Sequence, residues 1–140
     1  AAYQWAAEST IYLRQDQRGN GLGPHLYGAL ERVLAAQNVL NCNACIALPQ
    51  AEDAPLTQAS VRFHQRMGST LVGQFHTVGY KFDRWYHMVW MEKALGAHTV
   101  PLAPFLPFPQ IAEQVPALLA SVTTRPFPRG AGAGAGASWR

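Results

Sequence analysis

The stretch QRGNGLG, residues 17–23, decides how this chain is read. Three glycines alternate with other residues, behind Arg18 and just ahead of an apolar run patterned as a helix. Glycine at a helix entry is costly unless the backbone must turn unusually or something must approach it closely. Upstream, ESTIYL (8–13) is rich in β-branched and aromatic residues and reads as a strand. Downstream, Leu22, Leu26, Ala29, Leu30, Val33 and Gln37 keep a helical period, which predicts a helix over 21–37 with Pro24 tolerated in its first turn. Between strand and helix, consecutive backbone N–H groups form an anion-binding concavity. The helix dipole adds roughly 0.3–1 kcal/mol per contact with a negative charge there. The plain alternative is a Gly-rich turn. The dinucleotide fingerprint GxGxxG fails, because its third glycine would fall on Pro24, and no GK[ST] follows for a Walker loop. What remains is R-x-x-G-x-G, made by Arg18, Gly21 and Gly23.

Working outward, LNCNACIAL (40–48) reads as the next strand. A loop over 49–56 carries two prolines and two acids, and a short helix follows over 57–67 with Gly68 as its stop signal. TLVGQF (70–75) is a third strand and HTVGYKFDR (76–84) a connecting loop. WYHMVWME (85–92) is a fourth strand, expected to be central and covered on both sides because aromatics occupy both faces. The order β-α-β-α-β-β is α/β. From Pro101 the character changes: seven of ten prolines lie beyond residue 100, and the chain ends RGAGAGAGASWR. Residues 96–116 are expected to pack as an extended Pro-rich arm through Phe105, Phe108 and Ile111, and 117–140 to be a disordered Gly/Ala-rich tail.

With 140 residues, nearly half of them apolar, one domain with a real core is expected. A net charge of +3 without a basic cluster argues against a nucleic-acid partner and suits a small anionic ligand. No apolar run approaches the ~20 residues that cross a bilayer, so no membrane partner is expected, and the cytoplasm is the default compartment. Cys42 and Cys45 form a CxxC, but three residues apart on a strand they point to opposite faces, and no further ligand pair completes a zinc site, so no metal is expected. Residue 1 is not Met, and the chain opens almost directly on a strand, as if it were the second half of something.

The pattern Arg18-x-x-Gly21-x-Gly23 between strand and helix resembles the pyrophosphate loop of the GNAT N-acetyltransferases. Glu8-Ser9-Thr10-Ile11-Tyr12, Ser60-Val61-Arg62-Phe63-His64 and Gly79-Tyr80-Lys81-Phe82 with Trp85 resemble the phosphinothricin acetyltransferase group, which acetylates the α-amino nitrogen of amino-acid-like compounds. The resemblance covers about residues 3–95. It implies an α/β fold of GNAT type, a mixed sheet with flanking helices, whose N-terminal strands and helices are missing; residues 1–95 would be the acetyl-CoA-binding half. It implies acetyl-CoA as cofactor and a small-molecule amine as acceptor. The backbone of Ile11 and Leu13 would pair with the pantetheine arm, with an N–H there polarising the thioester carbonyl. The amides of Arg18, Gly19, Gly21, Leu22 and Gly23 would hold the pyrophosphate, and Ser60 would contact the cofactor.

Glu8 and His64 are the implied catalytic pair. An α-amine has a pKa of roughly 8 or above and must lose a proton before it attacks, which calls for a base such as Glu8. An imidazole shuttles protons near neutrality, and Ser60 and His64, four apart, share a helix face. Without the resemblance, Glu8 would read as a solvated charge and His64 as a packing residue. Tyr80, Lys81 and Trp85 line an acceptor pocket or cap the sheet, the second being favoured; His76, His87 and His98 read as structural. Three departures stand out: Thr57 replaces a cofactor-contacting Asn, the loop over 50–56 is long, and Ser69 stands where the family has an aromatic. The bare edge over 9–13 would be covered by the missing half or by a partner chain, as in a homodimer. The rival readings are a truncated, inactive CoA-binding module and a weak nucleic-acid or protein-binding domain suggested by the pI near 9.1.

Overall fold

Alternate residues of NCNACIALP are small or apolar, and β2 (Asn41–Pro49) accordingly buries Cys42, Ala44 and Ile46 on one face. The computed structural model describes residues 2–50 and 55–120. With β1 (Ala6–Glu8), β3 (Thr70–Lys81) and β4 (Arg84–Ala94), β2 builds a mixed sheet in the order β1-β2-β4-β3. β2 pairs antiparallel with β4 along its whole length, from Asn41–Ala94 to Pro49–Tyr86, but parallel with β1 only from Ala6–Asn41 to Glu8–Asn43. Helices α1 (Leu22–Ala36) and α2 (Pro55–Arg66) follow β1 and β2.

Both helices serve the same face of the sheet. Tyr27 of α1, wholly buried, packs with Cys42 and Met67, and Phe63, Leu34, Ile11 and Leu95 close around them. Val61 of α2 covers Ala44, Ile46, Val89 and Met91. Glu31 and Lys93 tie this layer together. The Lys93 ammonium lies 2.6 Å from the Glu31 carboxylate and also donates to the Met67 carbonyl, just beyond the end of α2.

The two helices end alike. At the end of α1, Asn38 takes a left-handed φ of 63°, the Val39 N–H bonds the Leu34 carbonyl, and the Asn38 N–H bonds the Ala35 carbonyl. At the end of α2, Gly68 takes φ 92°, the Ser69 N–H bonds the His64 carbonyl, and the Gly68 N–H bonds the Gln65 carbonyl. Both are Schellman motifs, in which reciprocal bonds satisfy the last orphan carbonyls of a helix.

Four expectations are corrected. The ladder of β1 covers Ala6–Glu8 rather than 8–13: the Asn43 carbonyl accepts both the Ser9 N–H (2.8 Å) and the Ser9 hydroxyl (3.2 Å), and pairing with β2 ends there. The supposed loop over 76–84 is mostly strand. β3 runs on to Lys81 through two irregularities in register, and the turn itself is Phe82–Asp83, both at positive φ as a two-residue hairpin turn requires. The Thr77 N–H, lost to the ladder at the second irregularity, bonds His87 Nδ1 at 2.9 Å, a structural use of that histidine. β4 is an inner strand, but α1 and α2 cover only its Val89 and Met91 face, while Trp90 and Met88 on the other face are half-buried.

The fourth correction concerns the arm. It is tied to the domain by backbone and side-chain bonds: Trp5 Nε1–H donates to the Ala103 carbonyl, Asn38 to Pro104, and Gln37 exchanges two bonds with Leu106. It is not extended throughout, because α3 (Phe108–Ile111) and α4 (Val115–Ala120) are helical, Ile111 is wholly buried and α4 packs on α1. The tail expected over 117–140 therefore begins inside a helix, and its remainder from 121 lies outside the described residues.

Candidate functional site

Beyond Ser9 the chain keeps the alternation of a strand after losing its partner. Ser9, Ile11 and Leu13 turn inward, whereas Thr10, Tyr12 and Arg14 are exposed, Tyr12 at 90%. Packing of the inward set holds the backbone extended while β2 runs on to Pro49 without it. The Ser9 N–H points to β2, so by the two-residue period the N–H groups of Ile11 and Leu13 point the same way, into the opening between the diverging segments. Among the described residues neither has an acceptor.

A 3-10 turn at Gln15–Gln17, pinned by an exposed Arg14–Asp16 ion pair, then delivers the glycine loop to the start of α1. Gly19 (φ 81°) and Gly21 (φ 75°) are glycine because the backbone there is left-handed. Gly21 caps α1 without any side-chain bond, and among the described residues the N–H groups of Gly19, Gly21, Leu22 and Gly23 have no acceptor, whereas those of Arg18 and Asn20 are turned back into the preceding turn. Residues 18–22 are exposed, so the N–H groups of Gly19, Gly21 and Leu22 form an open cradle at the positive end of the helix dipole. Gly23 differs. It is buried, and a Cβ there would lie 3.4 Å from the Phe63 ring and 3.5 Å from Leu13, so it serves packing between α1, α2 and the extended segment rather than the open cradle. His25, missed in the sequence, sits in the first turn of α1 with Nδ1 at 2.7 Å from the Gly21 carbonyl. A carbonyl only accepts, so Nδ1 carries the proton. Its position four residues after Gly21 was the available signal.

Glu8 and His64 do not meet. Glu8 is paired with Asn43, so its exposed side chain lies on the sheet face away from the helices, where its charge helps push the Cys45 thiol pKa up, a shift due first to burial. His64 lies on the helix face, 8% exposed, with its ring 5.2 Å from Tyr27 and 5.3 Å from Phe63 in edge-on contacts. Burial pushes its pKa below the ordinary value, so the neutral imidazole is the form present at neutral pH. Behind it the Tyr27 hydroxyl, its own pKa pushed up to about 12 chiefly by burial, bonds the Ser9 hydroxyl at 3.1 Å and the Cys42 thiol at 3.7 Å. Ser9 and Tyr27 thus link the end of β1 to the ring that backs His64, a connection no local pattern announces. Ser60 is half-buried one turn before His64, and the Thr57 side chain lies outside the described residues.

The remaining candidates are structural. The Tyr80 and Trp85 rings meet at a 58° tilt with centroids 5.0 Å apart beside the hairpin turn, Tyr80 donates to Asp83, and Lys81 lies over the Phe82 ring, contacts that brace the hairpin. His98 bonds Asn41. Cys42 and Cys45 are free thiols on opposite faces of β2, and among the described residues no cluster suits a metal. No helix among them is long and apolar enough to cross a membrane. A shallow apolar concavity of about 370 Å³ lies at the opposite end of β1, lined by Tyr3, Trp5, Leu40 and Val100. Two of its polar residues, His98 and Asn41, are bonded to each other.

A family model described as an acetyltransferase (GNAT) domain matches residues 1–90. The phosphinothricin N-acetyltransferase of Streptomyces coelicolor is 36% identical over 94 residues, 67% of this chain and 51% of that protein. The L-methionine sulfoximine/L-methionine sulfone acetyltransferase of Pseudomonas paraeruginosa is 34% identical over 90 residues, 64% of this chain and 48% of that protein. Among solved structures, a phosphinothricin acetyltransferase of Sinorhizobium meliloti in complex with AcCoA superposes with a TM-score of 0.61 at 27% identity, over 74% of this chain and 55% of that one. The chain spans about half the length of the curated relatives it matches. A match to the acetyltransferase model over most of the described strands and helices, joined to an unpaired strand edge and an amide-rich helix entry, places this chain in the GNAT acetyltransferase family.

Proposed function

We propose that residues 1–95 are the cofactor-binding half of an N-acetyltransferase that moves an acetyl group from acetyl-CoA to the amino group of a small amino-acid-like acceptor. One observation supports this reading: two sets of N–H groups without an acceptor among the described residues, at Ile11 and Leu13 and at Gly19, Gly21 and Leu22, follow one another along the chain. The residues fit the group. The exposed amides of Gly19, Gly21 and Leu22, with the exposed Arg18 side chain beside them, suit a pyrophosphate, and the strand-like edge suits an amide-bearing arm. Bound there, acetyl-CoA supplies an activated acetyl thioester. The N–H groups near Ile11 would polarise its carbonyl and stabilise developing negative charge. Glu8 takes the proton of the incoming amine at its carboxylate, from the face it shares with Asn43 and Cys45. His64 and Ser60 act from the helix side, and the sheet between His64 and Glu8 leaves the amine proton to Glu8 alone. The acceptor class follows the relatives, whose named substrates carry an α-amino group. The proposal includes a cytoplasmic setting and a second copy of the chain as the partner for an open sheet edge; with a net charge of +3 and no basic cluster, it includes no nucleic acid.

Calorimetric titration with acetyl-CoA, followed by thiol-release assays with amino-acid amines, tests this reading. Binding with release is expected. Glu8→Gln is expected to lower turnover by about 10²-fold or more while sparing cofactor affinity; unchanged turnover would defeat the base assignment. Binding without release in the parent chain favours a CoA-binding module, the reading suggested by the half-length match. No binding by a folded chain sinks both.

A further inference from the structure

The end of α2 contains an unusual pair. In a Schellman motif the residue after the left-handed position lies against the residue five before it, and that contact is normally apolar. At the end of α1 the pair is Val39 and Leu34. At the end of α2 it is Ser69 and His64. Both are more than nine-tenths buried, at 6% and 8% exposure. Among the described residues His64 Nδ1 and Ser69 Oγ are buried without a hydrogen-bond partner. Leaving two such atoms unpaired costs more than joining them. The sheet register supports the same juxtaposition. Ser69 precedes the Thr70–Glu92 pair and so continues opposite Lys93, whose side chain reaches Glu31 and the Met67 carbonyl on the helix face.

We propose that Ser69 is a positioning residue for His64: its hydroxyl donates to Nδ1 through one enclosed water, and so fixes the proton of the neutral ring on Nε2. The direction follows from satisfying both atoms at once. If Nδ1 donated to Ser69, the hydroxyl hydrogen would itself remain a buried donor without an acceptor. His64 then presents an Nε2–H donor rather than a free base, which complements Glu8 as the proton acceptor; this consequence rests on the function proposed above. The titratable groups packed around His64 are Tyr27 of α1, with Cys42 of β2 behind it, and the Glu31–Lys93 pair that reaches the Met67 carbonyl.

The test is nitrogen-15 NMR of the His64 ring in the full chain, with and without Ser69→Ala and Ser69→Thr. The parent chain is expected to carry its proton on Nε2 and the lone pair on Nδ1; a proton on Nδ1 overturns the proposal without any variant. Ser69→Ala is expected to mix the tautomers and shift the His64 titration midpoint, and Ser69→Thr to restore both. A parent-like Ser69→Ala spectrum also overturns it. In thiol-release assays, Ser69→Ala is expected to lower kcat about tenfold, change its pH profile and leave the KM for acetyl-CoA unchanged. If the NMR effects appear but the parent chain releases no thiol, the Ser69–His64 pair stands and the enzymatic reading fails. If thiol is released but the ring is unaffected by Ser69, the reverse holds.

Discussion

Helices α1 and α2 finish with the same backbone bonds and opposite side-chain chemistry. At the end of α1, Asn38 turns the chain and Leu34 and Val39 meet as an apolar pair. At the end of α2, Gly68 turns it and the corresponding positions are His64 and Ser69, each with a buried polar atom unpartnered among the described residues. A fold under stability constraints alone would favour the first arrangement twice, since each orphaned buried polar atom costs roughly 1–3 kcal/mol. The difference separates what the backbone motif requires from what chemistry has placed on it.

The largest test of this comparison removes what the two ends share. Tyr27 contacts Phe63 and His64 and packs in the cluster that includes Leu34, so Tyr27→Ala is expected to destabilise the chain by about 3–5 kcal/mol in urea unfolding. A loss below about 1 kcal/mol would mean that the two helix ends do not share a core. Exchanging the chemistry of the pairs comes next. Val39→Ser places a hydroxyl in an apolar contact and is expected to cost about 2–3 kcal/mol. Ser69→Val adds apolar volume but removes the donor proposed for the buried His64 Nδ1, and a net loss of about 1 kcal/mol, smaller than at Val39, is expected. Equal losses would erase the contrast.

Smaller effects follow at the turns. Gly68→Ala and Asn38→Ala both force an unsuited residue into left-handed backbone, each at about 1–2 kcal/mol, with no steric term at Gly68 because an added Cβ lies 3.5 Å from Lys93. Similar drops in Tm would confirm that the two backbone motifs are equivalent; a large excess at one end would refute it. The smallest effect is in pH. Burial lowers the folded-state pKa of His64, so the unfolded chain binds the proton more readily. This contribution to stability is complete above about pH 6.5 and is lost as pH falls through the folded pKa. His64→Gln should therefore flatten stability against pH below about 6.5, whereas Leu34→Met at the α1 end should leave the slope intact. Parallel pH curves for the parent and His64→Gln chains would contradict the burial argument.

Legibility differed from element to element for physical reasons. α1, β2 and α2 declare themselves because their apolar periods are unbroken, and the parity of Cys42 and Cys45 predicts their opposite faces correctly. The extension of β3 was hidden, since Gly79 and the left-handed Thr77 look like loop residues and only the partner β4 turns them into strand irregularities. At the candidate site, β-branched and aromatic residues marked 8–13 as strand-like, which fits the extended run with Ser9, Ile11 and Leu13 inward, and the glycine pattern marked Gly19 and Gly21. Gly23 looked identical to its neighbours, yet Phe63, forty residues on, gives it a packing role.

By itself the sequence determined the order of strands and helices through β4, the unusual backbone at the glycine loop and the strand-like character through Leu13, because each depends on a residue and its near neighbours. Only the tertiary structure decided which N–H groups remain unpaired, that Glu8 and His64 lie on opposite sides of the sheet, and that His64 Nδ1 and Ser69 Oγ are both buried without a partner among the described residues. Those outcomes depend on where β2 stops pairing with β1 and on how α2 is laid over the sheet, contacts between segments distant in the chain.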